Sequence, residues 1–324
     1  MWKNVLNILV AAIGAVACTT SAMAAGAYPS VKPIRMIVAW PPGSGDDIFM
    51  RMINDALSKE LGQTIIVENR PGAAGVIGAQ VVAEAEPDGY TLLFSSAAMN
   101  MVAAMRTKTS YKMPDSFTPI VNAFYSPLAL VTNPALGLKS PQDLIALAKK
   151  EKLFYATSGV GAPSHFVGEL FASRAGIHVT AVPTQGSPKA MMEQIAGRVT
   201  YHFAVTSTAL PPAKDGKIQI LAVASKHRVA IAPDIPTLDE LGIKGVDGSY
   251  WNGILGPKGL PEPIVEKIAS AVNKVLAMDE IRKRVAPTGN EIDGHSDPAS
   301  FSALLKSDFE LWRGVAKTAS IGAQ

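Results

Sequence analysis

The chain has 324 residues, 48% of them hydrophobic and 18% charged, with a formal net charge of +3. That is the composition of an ordinary folded protein with room for one large or two medium domains. The charge is too small, and too free of basic runs interleaved with aromatics, to suit nucleic acid.

The first residues read MWKNVLNILVAAIGAVACTTSAMAAG. Lys3 is a positive n-region, Val5 to Ala17 an apolar h-region, and Ala22-Met23-Ala24 an A-x-A site. This pattern predicts a secretory signal over residues 1–24, cut after Ala24. The apolar run is too short for a good membrane span. Cleavage there removes Cys18, the single cysteine, and with it all disulfide and thiol chemistry. The rival reading is a lipid-modified Cys18, because Ala15-Val16-Ala17-Cys18 resembles a lipobox, although the usual Leu is missing three residues before the cysteine. No later stretch is long and apolar enough to cross a bilayer, so the expected mature protein is exported and soluble.

Beyond a lead-in at Pro29 to Pro33, Met36 to Trp40 predicts a buried strand. Pro41 to Gly45 break it into a tight loop. A helix follows, with Ile48, Phe49, Met52, Ile53, Ala56, Leu57 and Leu61 on one face and Gly62 as its stop. Free N–H groups at such a helix start make an anion site at the strand's carboxyl end. Thr64 to Val67 reads as a strand, Val76 to Ala85 as a helix, and Tyr90 to Phe94 as a buried strand followed by Ser95-Ser96-Ala97. Phe117 to Leu130, broken by Pro119 and Pro127, predicts a first crossing between domains. Ser140 caps a helix with Pro141 at its first position.

The opening pattern then returns. Lys152 to Thr157 is a strand and SGVGAPSH a loop. Phe166, Val167, Leu170, Phe171 and Ala175 form a helix face ended by Gly176, and His178 to Val182 is β-rich. Further on, Ser187-Pro188 opens a helix to about Ala196. Val199 to Val205 and Ile218 to Ala224 are strands. Thr237 caps a short helix ended by Gly242, and Tyr250 to Leu255 crosses back. Pro263 to Leu276 and Pro298 to Thr318 are terminal helices, the latter capped by Asp297. Strands alternating with helices predict an α/β protein of two domains with mostly parallel sheets flanked by helices. The expected domains are residues 25–124 plus 250–324, and residues 125–249.

There is no G-x-x-x-x-G-K-[ST], no G-x-S-x-G, no H-E-x-x-H and no cysteine cluster. His165, His178, His202, His227 and His295 are scattered without ligand spacing, so no metal or other cofactor is expected. What remains is a set of small polar loops at strand ends. Gly43, Ser44 and Gly45 either present N–H groups to a carboxylate or merely turn the chain. Asp46 and Asp47 complement the helix dipole, and a capping role suits Asp47, since an acid facing an anion repels it. Ser158, Gly159, Gly161 and Ser164 repeat the theme. Ser164 reads also as an N-cap, and His165 as a donor to ligand or a packing residue. Trp40, Phe94 and Trp251 are either core or the wall of an apolar ligand body.

Together these residues resemble the solute receptors of tripartite tricarboxylate transporters, the Bug proteins. The resemblance rests on IRMIVAWPPGSGDD, VENRPGAAGVIGAQVVAEAEPDGYTLLF, TSGVGAPSHFVGELF, the run Val182 to Ser187, and PDIPTLDELG. It implies a non-enzymatic, monomeric Venus-flytrap receptor of the periplasm. Two α/β domains would close over a small carboxylate and deliver it to a permease of one large and one small membrane subunit. It implies ligand contacts at Gly43, Ser44 and Asp47, and at Ser158, Gly159, Gly161, Ser164 and His165. Ala73, Ala74, Ser95, Ser96 and Thr184 are further wall candidates. Three places depart from the family pattern: Ser44 replaces a glycine, Thr184-Gln185 replaces Tyr-Lys, and Ala204 stands where an acid often follows the strand's Phe. Without that acid a buried ammonium has no obvious partner, which favours an aliphatic or aromatic mono- or dicarboxylate over an amino acid. Two rival readings compete. One is an exported hydrolase using Ser44 or Ser158 with His165 as base. The other is a sensor module that presents its bound ligand to a membrane kinase.

Overall fold

The computed structural model describes residues 28–105 and 109–322, with Ala74 described by its backbone alone. The expected signal segment, its cleavage site and Cys18 lie outside the described residues.

The first unit is β1 (Ile34–Val38), helix α1 (Gly45–Leu61) and β2 (Ile65–Asn69). Helix α2 (Val76–Ala83) and β3 (Thr91–Ser96) complete a parallel core in which β1 lies between β2 and β3. Helix α2 lies so close to β1 that a side chain at Gly78 would meet the Ala39 Cα and the Arg70 carbonyl at 2.9 Å. Helix α3 (Ala98–Met105) follows, then β4 (Phe117–Ser126). A single residue, Pro127, separates β4 from β5 (Leu128–Thr132), which belongs to the other sheet.

The second sheet repeats the first. After α4 (Pro141–Ala148) come β6 (Leu153–Thr157), α5 (Pro163–Ala175) and β7 (Val179–Pro183). Then α6 (Ser187–Ile195), β8 (Tyr201–Val205), α7 (Thr206–Lys214) and β9 (Gln219–Ala224) follow. Strand β10 (Tyr250–Pro257) returns to the first sheet, followed by α8 (Glu262–Ala277), α9 (Asp279–Val285), β11 (Glu291–Ile292) and α10 (Pro298–Thr318). The strand orders are β11-β4-β10-β3-β1-β2 and β7-β6-β8-β5-β9.

The two α/β layers agree with the sequence, and most strands of each sheet run in one sense, with reversed strands inserted among them. Strands β2-β1-β3 and β7-β6-β8 pair parallel, and β4 and β9 run in the same sense as these, each across one inserted strand. The strands that carry the chain between sheets, β4, β5 and β10, pair antiparallel with their neighbours, as does β9 with β5. Strands β10 and β5, by which the chain enters each sheet from the other, run in the opposite sense to the strands on either side of them. The two passages lie side by side, Tyr250 pairing with Ser126. The Pro127 carbonyl at the passage accepts bonds from the Thr206 N–H and hydroxyl at 3.0 and 2.8 Å.

Helix α10 ties the halves together from outside. It packs on α3 and β4 and reaches α5, where Trp312 meets Phe166 edge-on at 5.6 Å. One apolar core therefore runs through both sheets along this side. Asp308 anchors the helix, its carboxylate accepting from the Trp251 and Trp312 indoles and the Asn100 amide at 2.6 to 2.9 Å.

Thr237 does not start a helix. Its hydroxyl accepts from the Glu240 N–H and its own N–H donates to the Glu240 carboxylate, closing a single turn before Gly242 at φ +83°. Helices α3, α7 and α9 were not expected from the sequence. The first is buried along most of its length and shows no period, and the second carries Pro211 and Pro212 inside it.

Candidate ligand-binding cleft

The loop after β1 is built around Asp47, which is 3% exposed. Ser44 caps α1, its hydroxyl accepting from the Asp47 N–H at 3.3 Å. The Asp47 carboxylate turns back to accept from the Gly43 N–H at 2.8 Å, and from Arg51 and Asn69 at 2.9 Å. Asn69 also donates to the Trp40 carbonyl at 3.0 Å, fixing the strand end. Burial works to raise the Asp47 pKa, but the bonds from Gly43, Asn69 and Arg51 outweigh it and hold the group below the usual carboxylate range. The first N–H groups of a helix have no acceptor within it. Ser44 takes that of Asp47, which leaves those of Gly45 and Asp46 for another partner.

Gly45 and Asp46 line a cavity of about 540 Å³ between the sheets. That size suits a small molecule, whose sites span roughly 300–1,000 Å³. Trp40, Ser44, Phe49 and Met52 belong to its first wall, with Ser96 and Ala98 from the end of β3. Phe124, Ser126, Tyr250 and Asn252 come from the passage strands. Pro163, Ser187, Val205, Ser207 and Thr208 come from the second sheet's side, and Thr288 and Asn290 from the turn after α9. Ser126 donates to Asn290 at 2.8 Å and accepts from Asn252 at 3.2 Å, which knits the passage side.

Asp46 is the acid of this cavity. Burial pushes it up to about 7, while the nearby Trp40 indole N–H pulls the other way. That indole nitrogen is buried without a hydrogen-bonded acceptor among the described residues. Tyr250, from the passage strand, is pushed up to about 12 by burial and by the Asp46 charge. No lysine, arginine or histidine lines the cavity among the described residues.

The second loop is closed upon itself. The Ser164 hydroxyl accepts from the Ser158 N–H and pairs with the Ser158 hydroxyl, both at 2.9 Å. The Gly159 N–H donates to Thr157, and the Gly161 N–H to His165 Nδ1 at 3.2 Å. Thr184 bonds the Thr157 carbonyl through its N–H and hydroxyl, and the Gly186 N–H donates to the Ser158 carbonyl. Ser164 is therefore not the N-cap of α5. Ala162 holds that position with Pro163 behind it, and the Ser164 side chain is turned to the loop instead. Burial lowers the His165 pKa, so the ring is neutral, and the proton sits on Nε2 because Nδ1 accepts. Gly161, at φ +79°, is buried beneath Met105.

Of the residues singled out from the sequence, Ser44 and Ser96 line the cavity, and Trp40 forms part of its wall. Gly43 and Asp47 shape the first loop from behind. Ser95 is fully buried in β3, with no partner for its hydroxyl among the described residues. Ala73 is exposed at φ +49° in the short turn Ala73–Gly75, which includes the Ala74 backbone. Ala204 packs in a small core while its neighbour Val205 reaches the cavity. Phe94 and Trp251 are core residues. Asp46, Tyr250 and the hydroxyls of Ser126, Ser187 and Ser207 escaped the sequence reading; for Asp46 the signal was present in the Asp46-Asp47 pair. Among the described residues, no base is hydrogen-bonded to either serine proposed as a nucleophile. Ser44 accepts from Asp47, Ser158 pairs with Ser164, and His165 Nδ1 is engaged with Gly161.

The profile of the tripartite tricarboxylate transporter family receptor matches residues 49–310. The chain belongs to that receptor family. BugT of Bordetella pertussis is 31% identical to it over 97% of this chain and 95% of its own. Among solved structures, MatC of Rhodopseudomonas palustris with bound malate is 28% identical, with TM-score 0.73 over 88% of this chain and 99% of that one. Rpa4515 of R. palustris with adipate is 29% identical, with TM-score 0.77 over 91% and 99%. The receptor is thus a solute-binding protein of the periplasmic binding type rather than an enzyme. No helix among its described residues is long and apolar enough to cross a membrane.

Proposed function

We propose that the receptor captures a small aliphatic or aromatic mono- or dicarboxylate in the cleft and delivers it to a two-subunit membrane permease. The observation that carries this reading is the cavity itself. It is walled by both sheets, and the first turn of α1 opens onto it with two N–H groups unspent. A solute that touches both walls gains its full set of contacts only when the lobes approach, so binding favours closure about the paired passages at Ser126 and Tyr250. The lobes are residues 25–124 with 250–324, and residues 125–249. The chain acts as an exported monomer in the periplasm after loss of residues 1–24. Malate in MatC and adipate in Rpa4515 support a carboxylate as the solute.

In this reading Ser44, Ser96 and the N–H groups of Gly45 and Asp46 meet the solute from the first lobe, and Ser187 and Ser207 from the second. Gly43, Asp47, Ala73, Ala74 and Ser95 support the first wall. Ser158, Gly159, Gly161, Ser164, His165 and Thr184 brace the second loop behind Pro163, and Ala204 lies behind Val205. A thermal-shift screen of the receptor against aliphatic dicarboxylates, citrate, aromatic mono- and dicarboxylates and acidic amino acids tests the proposal. A ligand at a hundredfold excess over Kd adds about 2.7 kcal/mol to stability, so a clear rise in Tm with one class is expected. No shift with any member, from a protein that mass spectrometry shows to be empty, refutes it.

A further inference from the structure

Two neighbouring acids open α1, and their surroundings differ. Asp47 has its charge answered by Arg51, Asn69 and the Gly43 N–H. Asp46 is turned to the cavity, where no described cation answers it. Around it stand the rings of Trp40, Phe49, Phe124 and Tyr250, and hydroxyls from both sheets. A carboxylate solute entering this space adds a second negative charge to the first. Something must neutralise Asp46, and a desolvated cationic nitrogen beside aromatic faces does so with added cation–π attraction.

Building on the receptor reading, we infer that Asp46 is a specificity-determining residue that selects carboxylate solutes bearing a cationic nitrogen. The solute's carboxylate lies on the unspent N–H groups and hydroxyls of the cleft, and its nitrogen on Asp46 between Trp40 and Tyr250. This reverses the expectation drawn from Ala204: the acid missing from β8 is supplied from α1, across the cleft. The elevated pKa of Asp46 is what an acid awaiting its cation shows. Tyr250 is the other titratable group lining the cavity, and it stays neutral through the assay range.

The test is isothermal titration of the receptor and of Asp46→Asn with matched pairs: aspartate and succinate, glutamate and glutarate, 4-aminobutyrate and butyrate, 4-(aminomethyl)benzoate and 4-methylbenzoate, each at pH 6, 7 and 8. Mass spectrometry of the denatured protein identifies any co-purified solute. In at least one pair the amino member with a protonated amine is expected to bind tenfold or more tightly than its partner, and more tightly at pH 8 than at pH 6. Asp46→Asn should erase that preference while leaving the empty protein folded, with a Tm at pH 8 no lower than that of wild type because the buried charge is gone. If plain carboxylates bind as well as or better than their amino partners, weaken as pH rises, and gain affinity in Asp46→Asn, a proton answers Asp46 and the inference falls while the receptor reading stands. Binding of no member of any pair by an empty protein overturns both.

Discussion

His202 makes the fold sensitive to acid in a way that can be isolated. It is 1% exposed on β8, with Nδ1 bonded to the Ala156 carbonyl of β6 at 2.9 Å. Burial lowers its pKa from 6.5 to about 4, the bond to Ala156 acting against that shift. In the unfolded chain the ring takes a proton below about pH 6.5; in the folded chain it does not until about pH 4. Between those values the unfolded state binds more protons, so stability falls as pH falls. The contribution is absent above about pH 7 and saturates below pH 4. A difference of about 2.5 units at 1.36 kcal/mol each gives a loss of about 3 kcal/mol. Asp46 and Asp308, raised to about 7 and about 6 chiefly by burial, act in the opposite sense, because the folded state then holds the extra proton. The total pH profile therefore mixes signs, and the informative quantity is a difference. His202→Asn keeps a donor near Nδ1 and removes the titration. Urea denaturation of both proteins at pH 7.5, 6, 5 and 4 should show wild type losing about 3 kcal/mol more than the variant across the series. Parallel profiles refute the assignment of a neutral buried His202.

Other perturbations have defined outcomes. Ser164→Ala strands the Ser158 N–H, and should cost about 1–2 kcal/mol in the urea midpoint. No change would show that water replaces the hydroxyl freely. Gly161→Ala forces a side chain into a left-handed backbone beneath Met105, for a loss of about 1–3 kcal/mol. Met105→Ala in the same protein should recover part of it, and strict additivity of the two changes contradicts the contact. Asp47→Ala removes the acceptor of three donors around the first loop and should lower stability by about 2 kcal/mol. Retained stability would mean that Ser44 alone holds the loop. Ser207→Trp should fill the cleft and abolish calorimetric binding without lowering Tm. Full-strength binding in that variant would place the ligand elsewhere.

The sequence disclosed the two β-loop-α-β units because each is written in local signals. Pro and Gly break the chain at Pro41 to Gly45, an amphipathic period follows, and Gly62 and Gly176 end the helices at positive φ. It also marked the first passage of the chain from one sheet to the other, where Pro127 separates β4 from β5. It did not disclose the cleft's remaining walls. Phe124, Ser126, Tyr250 and Asn252 meet there because β4 and β10 pair, a long-range register with no local signature. Thr288 and Asn290 arrive from a short turn near the end of the chain. The Asp46-Asp47 pair shows the limit most clearly. Adjacent helical residues point about 100° apart, so one acid must turn to the loop and the other elsewhere, but the residue types do not say which faces the cleft. Ser164 failed as a cap for a similar reason. Ala162 already had extended backbone with Pro163 after it, and the hydroxyl two positions on was free to bond Ser158.

Solute capture between the two lobes is tested most directly by a crystal structure of the receptor with the strongest ligand from the calorimetric and thermal-shift panels. The solute's carboxylate is expected within hydrogen-bond distance of the Gly45 or Asp46 N–H. Ser187 or Ser207 is expected against the solute from the opposite lobe. A ligand held by the Ser158–His165 loop alone, or by one lobe with the cleft empty, would contradict capture between the lobes.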